Sequence, residues 1–214
     1  MVRPAFPTWF DAAAFRDAFQ LDTCGLPLVV VRYVVKPDPE SDSVDVFQEY
    51  VDDESVYRVE SYRRIRDIGS TKIAEHVAFY VLDDPAHATE RFQRRGLATS
   101  HLRKILPLYD GLGVTMIRVA AARDGRTVWP RFGFQIDSAE RRDFENQLIA
   151  RELAHTGFRP GRAALPISGP DILAYTRDGH ALGVAALESR DIWTMQLDLT
   201  DSKQRAILEA KCRP

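Results

Sequence analysis

Apolar and polar positions along this chain follow two rhythms, one helical and one alternating, and together they predict an ordered series of helices and strands. Phe15 and Phe19 are spaced to share a helix face, which predicts a short helix over Trp9 to Gln20, with Thr8 as its cap and Gly25-Leu26-Pro27 as its break. Leu28 to Val35 is rich in β-branched residues and predicts a strong strand. A turn over Pro37 to Ser43 leads into weaker strands over Val44–Val51 and Val56–Ile65, and Asp52-Asp53-Glu54-Ser55 between them suits a hairpin. The next strand covers Ile73 to Leu82 and stops at Asp83-Asp84-Pro85. A helix from Leu97 to Tyr109 carries Leu102, Ile105, Leu106 and Tyr109 on one stripe. Pro107 lies inside that stripe, removes a backbone donor and is expected to kink or shorten the helix, which Asp110-Gly111-Leu112-Gly113 then closes. Val114 to Ala122 is apolar enough to predict a buried strand.

Strand, turn, helix and strand make a βαβ unit, so Leu82 and Val114 are expected on neighbouring parallel strands. Short turns between the earlier strands suggest antiparallel pairing. The expected sum is a mixed sheet with helices on its faces. Beyond Phe134, Ser138 to His155 predicts a long helix carrying Phe144, Leu148 and Leu153 and ended by Gly157. Pro160 to Pro170 is irregular, Asp171 to Thr176 suits a short helical turn, Ile192 to Leu199 alternates like a strand, and Lys203 to Lys211 suits a final helix. A single domain is expected over 1–214, with a core at about 26–137, a helical insertion or extension over 138–190, and a returning strand and C-terminal helix over 191–214.

With 214 residues, 45% hydrophobic and 28% charged, the chain can bury one good core. Its formal net charge of -2 argues against a general nucleic-acid binder, which needs excess Lys and Arg. The run Arg63-Arg64-Ile65-Arg66 is expected to be a solvated strand end. Cys24 and Cys212 do not make a disulfide scaffold and point to a reducing compartment. The N-terminal residues lack the apolar run of a signal peptide, and no apolar segment is long enough to cross a bilayer, so the expected location is cytoplasmic.

The chemistry concentrates at Gln93-Arg94-Arg95-Gly96-Leu97-Ala98, which fits Q/R-x-x-G-x-G/A between an apolar strand and a helix. Such a corner aims backbone N–H groups and a helix dipole at one point, which suits a pyrophosphate. Gly96 has no Cβ to block a phosphate and Ala98 keeps nearly the same clearance. Thr99 and Ser100 can add hydroxyl donors, and Arg94 or Arg95 can neutralise charge at the rim. Together with the closing Trp129-Pro130-Arg131-Phe132-Gly133-Phe134, these pieces resemble the Gcn5-related N-acetyltransferase (GNAT) family. The resemblance covers about Ile73 to Asp137, and Leu28 to Ile65 by strand order. It looks closest to bacterial GNAT-like domains of ill-defined role that close on Gly-x-x-x-Trp-x-x-x-Gly-Phe, here Gly125 to Phe134.

The resemblance implies an α/β (α+β) fold: a mixed, mostly antiparallel sheet with a central splayed parallel pair and helices on both faces. It implies acetyl-CoA or another acyl-CoA as cofactor, held by Tyr80, Val81, Leu82, Gln93, Arg94, Arg95, Gly96, Leu97, Ala98 and Thr99. The implied activity is N-acyl transfer to an amine of a small molecule or peptide; the alternative is a catalytically degenerate binding module of the same fold. The loop from Asp83 to Phe92 is longer than the family's usual link.

Acyl transfer also needs a base, an oxyanion site and a route for the thiolate. Backbone N–H groups near Tyr80 to Leu82 are the expected oxyanion donors. Glu75 and His76 are the nearest base candidates; alternation puts His76 with Tyr80 and Leu82, and Glu75 with Val77, Phe79 and Val81. Their plainer role is to end a strand in solvent. His87, in the loop, can also reach the cleft. The family's usual acid is a tyrosine four residues before the closing glycine, where this chain has Trp129, a donor but no practical acid. The thiolate of a thiol with a pKa of about 8.5 can leave unaided. Tyr109 reads as core, His76, His87 and His101 are not spaced as a zinc set, and Ser168-Gly169 lacks the pattern of a nucleophile elbow. The helix over Ser138 to His155 is expected to cover the acceptor cleft or to form a homodimer contact. Transfer to an aminoacyl-tRNA is disfavoured by the near-neutral charge.

Overall fold

The structure, a computed structural model, describes residues 7–38, 40–82 and 95–213. Among them α1 (Ala12–Phe19) precedes four strands, β1 (Val29–Asp38), β2 (Ser43–Val51), β3 (Tyr57–Asp67) and β4 (Lys72–Val81). Then come α2 (Leu97–Leu112), β5 (Val114–Ala122), α3 (Gly125–Arg131), β6 (Gln135–Ile136), α4 (Arg141–Thr156), α5 (Gly169–Ala174), α6 (Leu182–Leu187), β7 (Ile192–Asp198) and α7 (Ser202–Cys212). The strands form one mixed sheet in the order β1-β2-β3-β4-β5-β7-β6, with a single parallel pair. That pair is β4 and β5, since Thr71, just before β4, hydrogen-bonds through its hydroxyl to Thr115 at the start of β5, and a helix returns the chain between them. The chain divides into two compact units, Met1–Ile117 with Cys212–Pro214, and Arg118–Lys211, so the boundary falls inside β5.

In the first unit, β1 to β4 form an antiparallel meander. Asp11, not Thr8, caps α1: its Oδ1 accepts from the N–H groups of Ala13 at 2.8 Å and Ala14 at 3.0 Å. This choice leaves Phe15 and Phe19 fully buried, each worth about 1.5–3 kcal/mol of apolar burial. Side chains from the sheet satisfy the carbonyls near the helix end: Tyr33 donates to Phe15 O at 3.0 Å and Gln48 to Phe19 O at 2.6 Å. Asp52 builds the β2–β3 hairpin by accepting from the Glu54 and Val56 amides and from Arg58 Nε at 2.6 Å. β1 forms one edge of the sheet, with Val29, Val30 and Val31 exposed and a register shift at Val31.

Helix α2 runs past Pro107 to Leu112, so the expected shortening does not occur. Pro107 turns to solvent while Ile105, Leu106 and Tyr109 bury the stripe around it, and Gly113 ends the helix at φ +72°.

The second unit is built around Trp193, which is fully buried and edge-on to Phe144 at 5.4 Å. Two glycines permit backbone contact there. A Cβ on Gly169 would run into the carbonyls of Phe134 and Pro130, and one on Gly183 into the Ile172 carbonyl. Helix α6 and the two-residue β6, which pairs with β7 at Gln196 and Met195, were not expected from the sequence. No helix among the described residues is long and apolar enough to cross a membrane.

Candidate functional site

The corner between β4 and α2 belongs to the first unit. Gln93 and Arg94 lie outside the described residues, as does His87. Arg95 and Gly96 are exposed, Ala98 and Thr99 are half-buried, and Leu97 is buried. Gly96 sits at the N-cap of α2 with φ +81°, a left-handed conformation that glycine adopts without strain. Among the described residues a Cβ built on it would meet nothing within 4 Å, and the glycine itself brings no capping side chain. Leu97 pins the first turn by packing with Leu21, Leu28, Tyr50 and Val59, against which Phe79 and Val81 also pack. Among the described residues, the corner is therefore open on its outer side and fixed on its inner side.

One anion already stands beside it. Asp22 accepts from Ser100 Oγ at 2.8 Å and from the Cys24 amide at 2.9 Å. The Cys24 amide, then the Ser100 hydroxyl, hold its carboxyl below the usual range, with Lys104 and Arg103 adding to the effect. The Ser100 hydroxyl is thus committed to Asp22 rather than offered to a phosphate. Nothing local in the sequence signals this, since the two residues are 78 positions apart.

Strand β4 departs from simple alternation. Arg63 faces His76 while Tyr62 faces Ala78, which makes Val77 an inserted bulge residue. The faces slip by one position. His76 and Ala74 are buried, Phe79 and Val81 continue on the core face, and Tyr80 and Leu82 turn outward at 44% exposure each. The expected grouping of His76 with Tyr80 and Leu82, and of Glu75 with Phe79 and Val81, is therefore corrected.

The backbone differs from expectation at one of these positions. Leu82 donates its N–H to Arg58 O at 2.7 Å, which takes it out of an oxyanion site. Antiparallel alternation then turns the Phe79 and Val81 N–H groups to the other edge of β4.

Neither base candidate ends a strand in solvent. Glu75 is half-buried and ion-paired with Arg66. His76 is 3% exposed, and its Nε2 lies 2.9 Å from the Tyr109 hydroxyl. Burial, followed by the charge of Arg63 and the neighbouring His101, lowers its pKa well below the usual histidine range. His101 is lowered likewise by burial, Arg63 and Lys104; it stacks on Phe79 at 5.8 Å, and neither ring nitrogen has a hydrogen-bond partner among the described residues. At neutral pH both rings are neutral, and both are buried, His101 on the inner face of α2 and His76 on β4 beside Tyr109. The arginine run is not a solvated strand end either. Arg63 is wholly buried, Arg64 Nε lies 2.6 Å from Asp45, and Arg66 holds Glu75.

Trp129 belongs to the second unit, where it is a packing residue. It is 8% exposed, with ring centroids 5.2 Å from Phe134 and 6.1 Å from Phe132. A Cβ on Gly125, one helical turn earlier, would come within 3.1 Å of its Nε1, which accounts for the Gly-x-x-x-Trp spacing. Gly133 takes φ +95° against α7, where a Cβ would crowd Gln204 O at 3.2 Å. A cleft of about 80 Å³ in this unit, bordered by Gln135, Arg141, Glu145 and Gln196, is too small for a pantetheine arm. No group of three or more His, Cys, Asp or Glu among the described residues could hold a metal ion.

Protein-family models, curated proteins and solved structures give no match to this chain.

Proposed function

We propose that the protein is a GNAT-like N-acyltransferase that binds acetyl-CoA or another acyl-CoA at the β4–α2 corner. The acyl group would pass to an amine of a small molecule or peptide. The observation that carries this reading is Gly96: a left-handed, exposed N-cap with open space where a Cβ would stand, at the start of a 16-residue helix. The dipole of such a helix favours negative charge at this end, and Arg95 adds a cation at the rim. The parallel β4–β5 pair on either side of the helix supports the same reading. With Trp129 packed in the second unit, the thiolate would leave without a dedicated acid.

A second reading, coenzyme A binding without transfer, is favoured by one observation: Glu75 is tied to Arg66 and His76 is buried against Tyr109. Calorimetry with coenzyme A and acetyl-CoA, followed by acylation assays over an amine panel, separates the two. Binding that Gly96→Glu abolishes supports the corner as the site. No binding by the wild-type protein rejects both readings, and binding without acylation selects the second.

A further inference from the structure

Arg63 stands in the middle of β3 at 1% exposure, and no carboxylate among the described residues pairs with it. Burial brings its pKa down to about 10, so it is still charged at neutral pH. A lone buried charge is costly, and an apolar side chain of similar length would fill the same space at less cost. The hydrogen bonds show where the charge is directed. Arg63 Nη1 donates to Tyr62 O at 3.0 Å and to Ala78 O, the carbonyls of the residue pair bordering the Val77 bulge. The guanidinium also lies over the Phe79 ring, 5.3 Å from its centroid. A bulge disturbs the ladder beside it, and buried carbonyls there need a donor.

From this arrangement we infer that Arg63 is a positioning residue that clamps the β4 bulge and so sets the facing of Phe79 to Leu82. Without the inserted residue the strand slips by one position. Phe79 and Val81 would then turn outward, and Tyr80 and Leu82 into the core. The bulge also decides which side chains and amides the end of β4 presents next to the α2 corner. The functional arm of this inference rests on the coenzyme A reading; the structural arm does not.

The test compares Arg63→Met with Arg63→Lys by amide hydrogen exchange and coenzyme A calorimetry. Arg63→Met should lower protection of Phe79 to Val81 by about tenfold or more while the β1–β2 pair stays as in wild type. Arg63→Lys keeps a donor for the Ala78 carbonyl and should retain protection within about threefold. Coenzyme A affinity should follow the same order. Wild-type protection and affinity in Arg63→Met would overturn the inference, as would equal loss across β1 to β4 in both variants. If Arg63→Met does not fold, the Lys variant decides by NMR: the Ala78 and Phe79 backbone shifts should move while those of Val30, which pairs with Tyr50 on β2 well away from position 63, stay. Unmoved Ala78 and Phe79 shifts would overturn it. A wild-type protein that binds no coenzyme A sinks the proposed function, and the exchange data still judge the clamp.

Discussion

Lowering the pH from 7 to 5 should destabilise this protein steeply, because His76 and His101 are buried and neutral. Burial depresses both pKa values well below the usual range, and the charge of Arg63 adds to it. The unfolded chain takes up two protons near pH 6.5 that the folded chain refuses. The stability present above the unfolded pKa is therefore lost as pH falls, until the folded pKa values are reached. While both rings stay neutral in the fold, each contributes about 1.4 kcal/mol per pH unit, so the pair costs roughly 4 kcal/mol by pH 5. That is a large share of a typical folding free energy of about 5–15 kcal/mol. Carboxylates with lowered pKa values, such as Glu152, act mainly below the unfolded carboxylate range and leave this window clear. Urea titrations followed by circular dichroism at half-unit steps of pH measure the slope. His101→Phe should halve it. The same change should stabilise the protein at pH 7 by about 1 kcal/mol, since neither nitrogen of the replaced ring has a partner to lose among the described residues. A flat stability profile between pH 7 and 5 would refute the buried, neutral assignment.

Gly183→Ala should destabilise by about 3 kcal/mol or more, because the added methyl meets the Ile172 carbonyl; denaturant midpoints near wild type would contradict that packing. Pro107→Ala should stabilise α2 by about 1–3 kcal/mol by restoring a helix donor at an exposed position, and thermal melts should show the rise. Asp22→Asn should remove the anion beside the α2 corner. Coenzyme A binding by calorimetry should then strengthen a few-fold, and an unchanged affinity would place the phosphates elsewhere.

Much of the fold was legible because its signals are local. β5 occupies Val114–Ala122 as expected, and β1 to β4 differ from expectation only at their ends. The errors share a cause, which is that distant partners decide them. Thr8 and Asp11 are both suitable caps, and the burial of Phe15 and Phe19 selects between them. Leu153 was read with Phe144 and Leu148 as one of the apolar residues of the helix ended by Gly157, yet it is 45% exposed, while Glu152 is buried and holds Tyr175 and Arg177. Val77 looks like any strand residue, and only its pairing with β3 makes it a bulge. The glycine corner could be found from a short motif; the anion beside it and the clamp behind it could not.

The rim of the sheet carries a further consequence. Val29, Val30 and Val31 are among the most strand-prone residues in the chain, yet they lie on an edge strand with no further partner among the described residues. The offset at Val31 and the charges of Arg32 and Lys36 interrupt what would otherwise be a flat template for another chain. Deleting Val31 would straighten that border. The edge would then offer a flatter template to another strand, opposed only by the charges of Arg32 and Lys36.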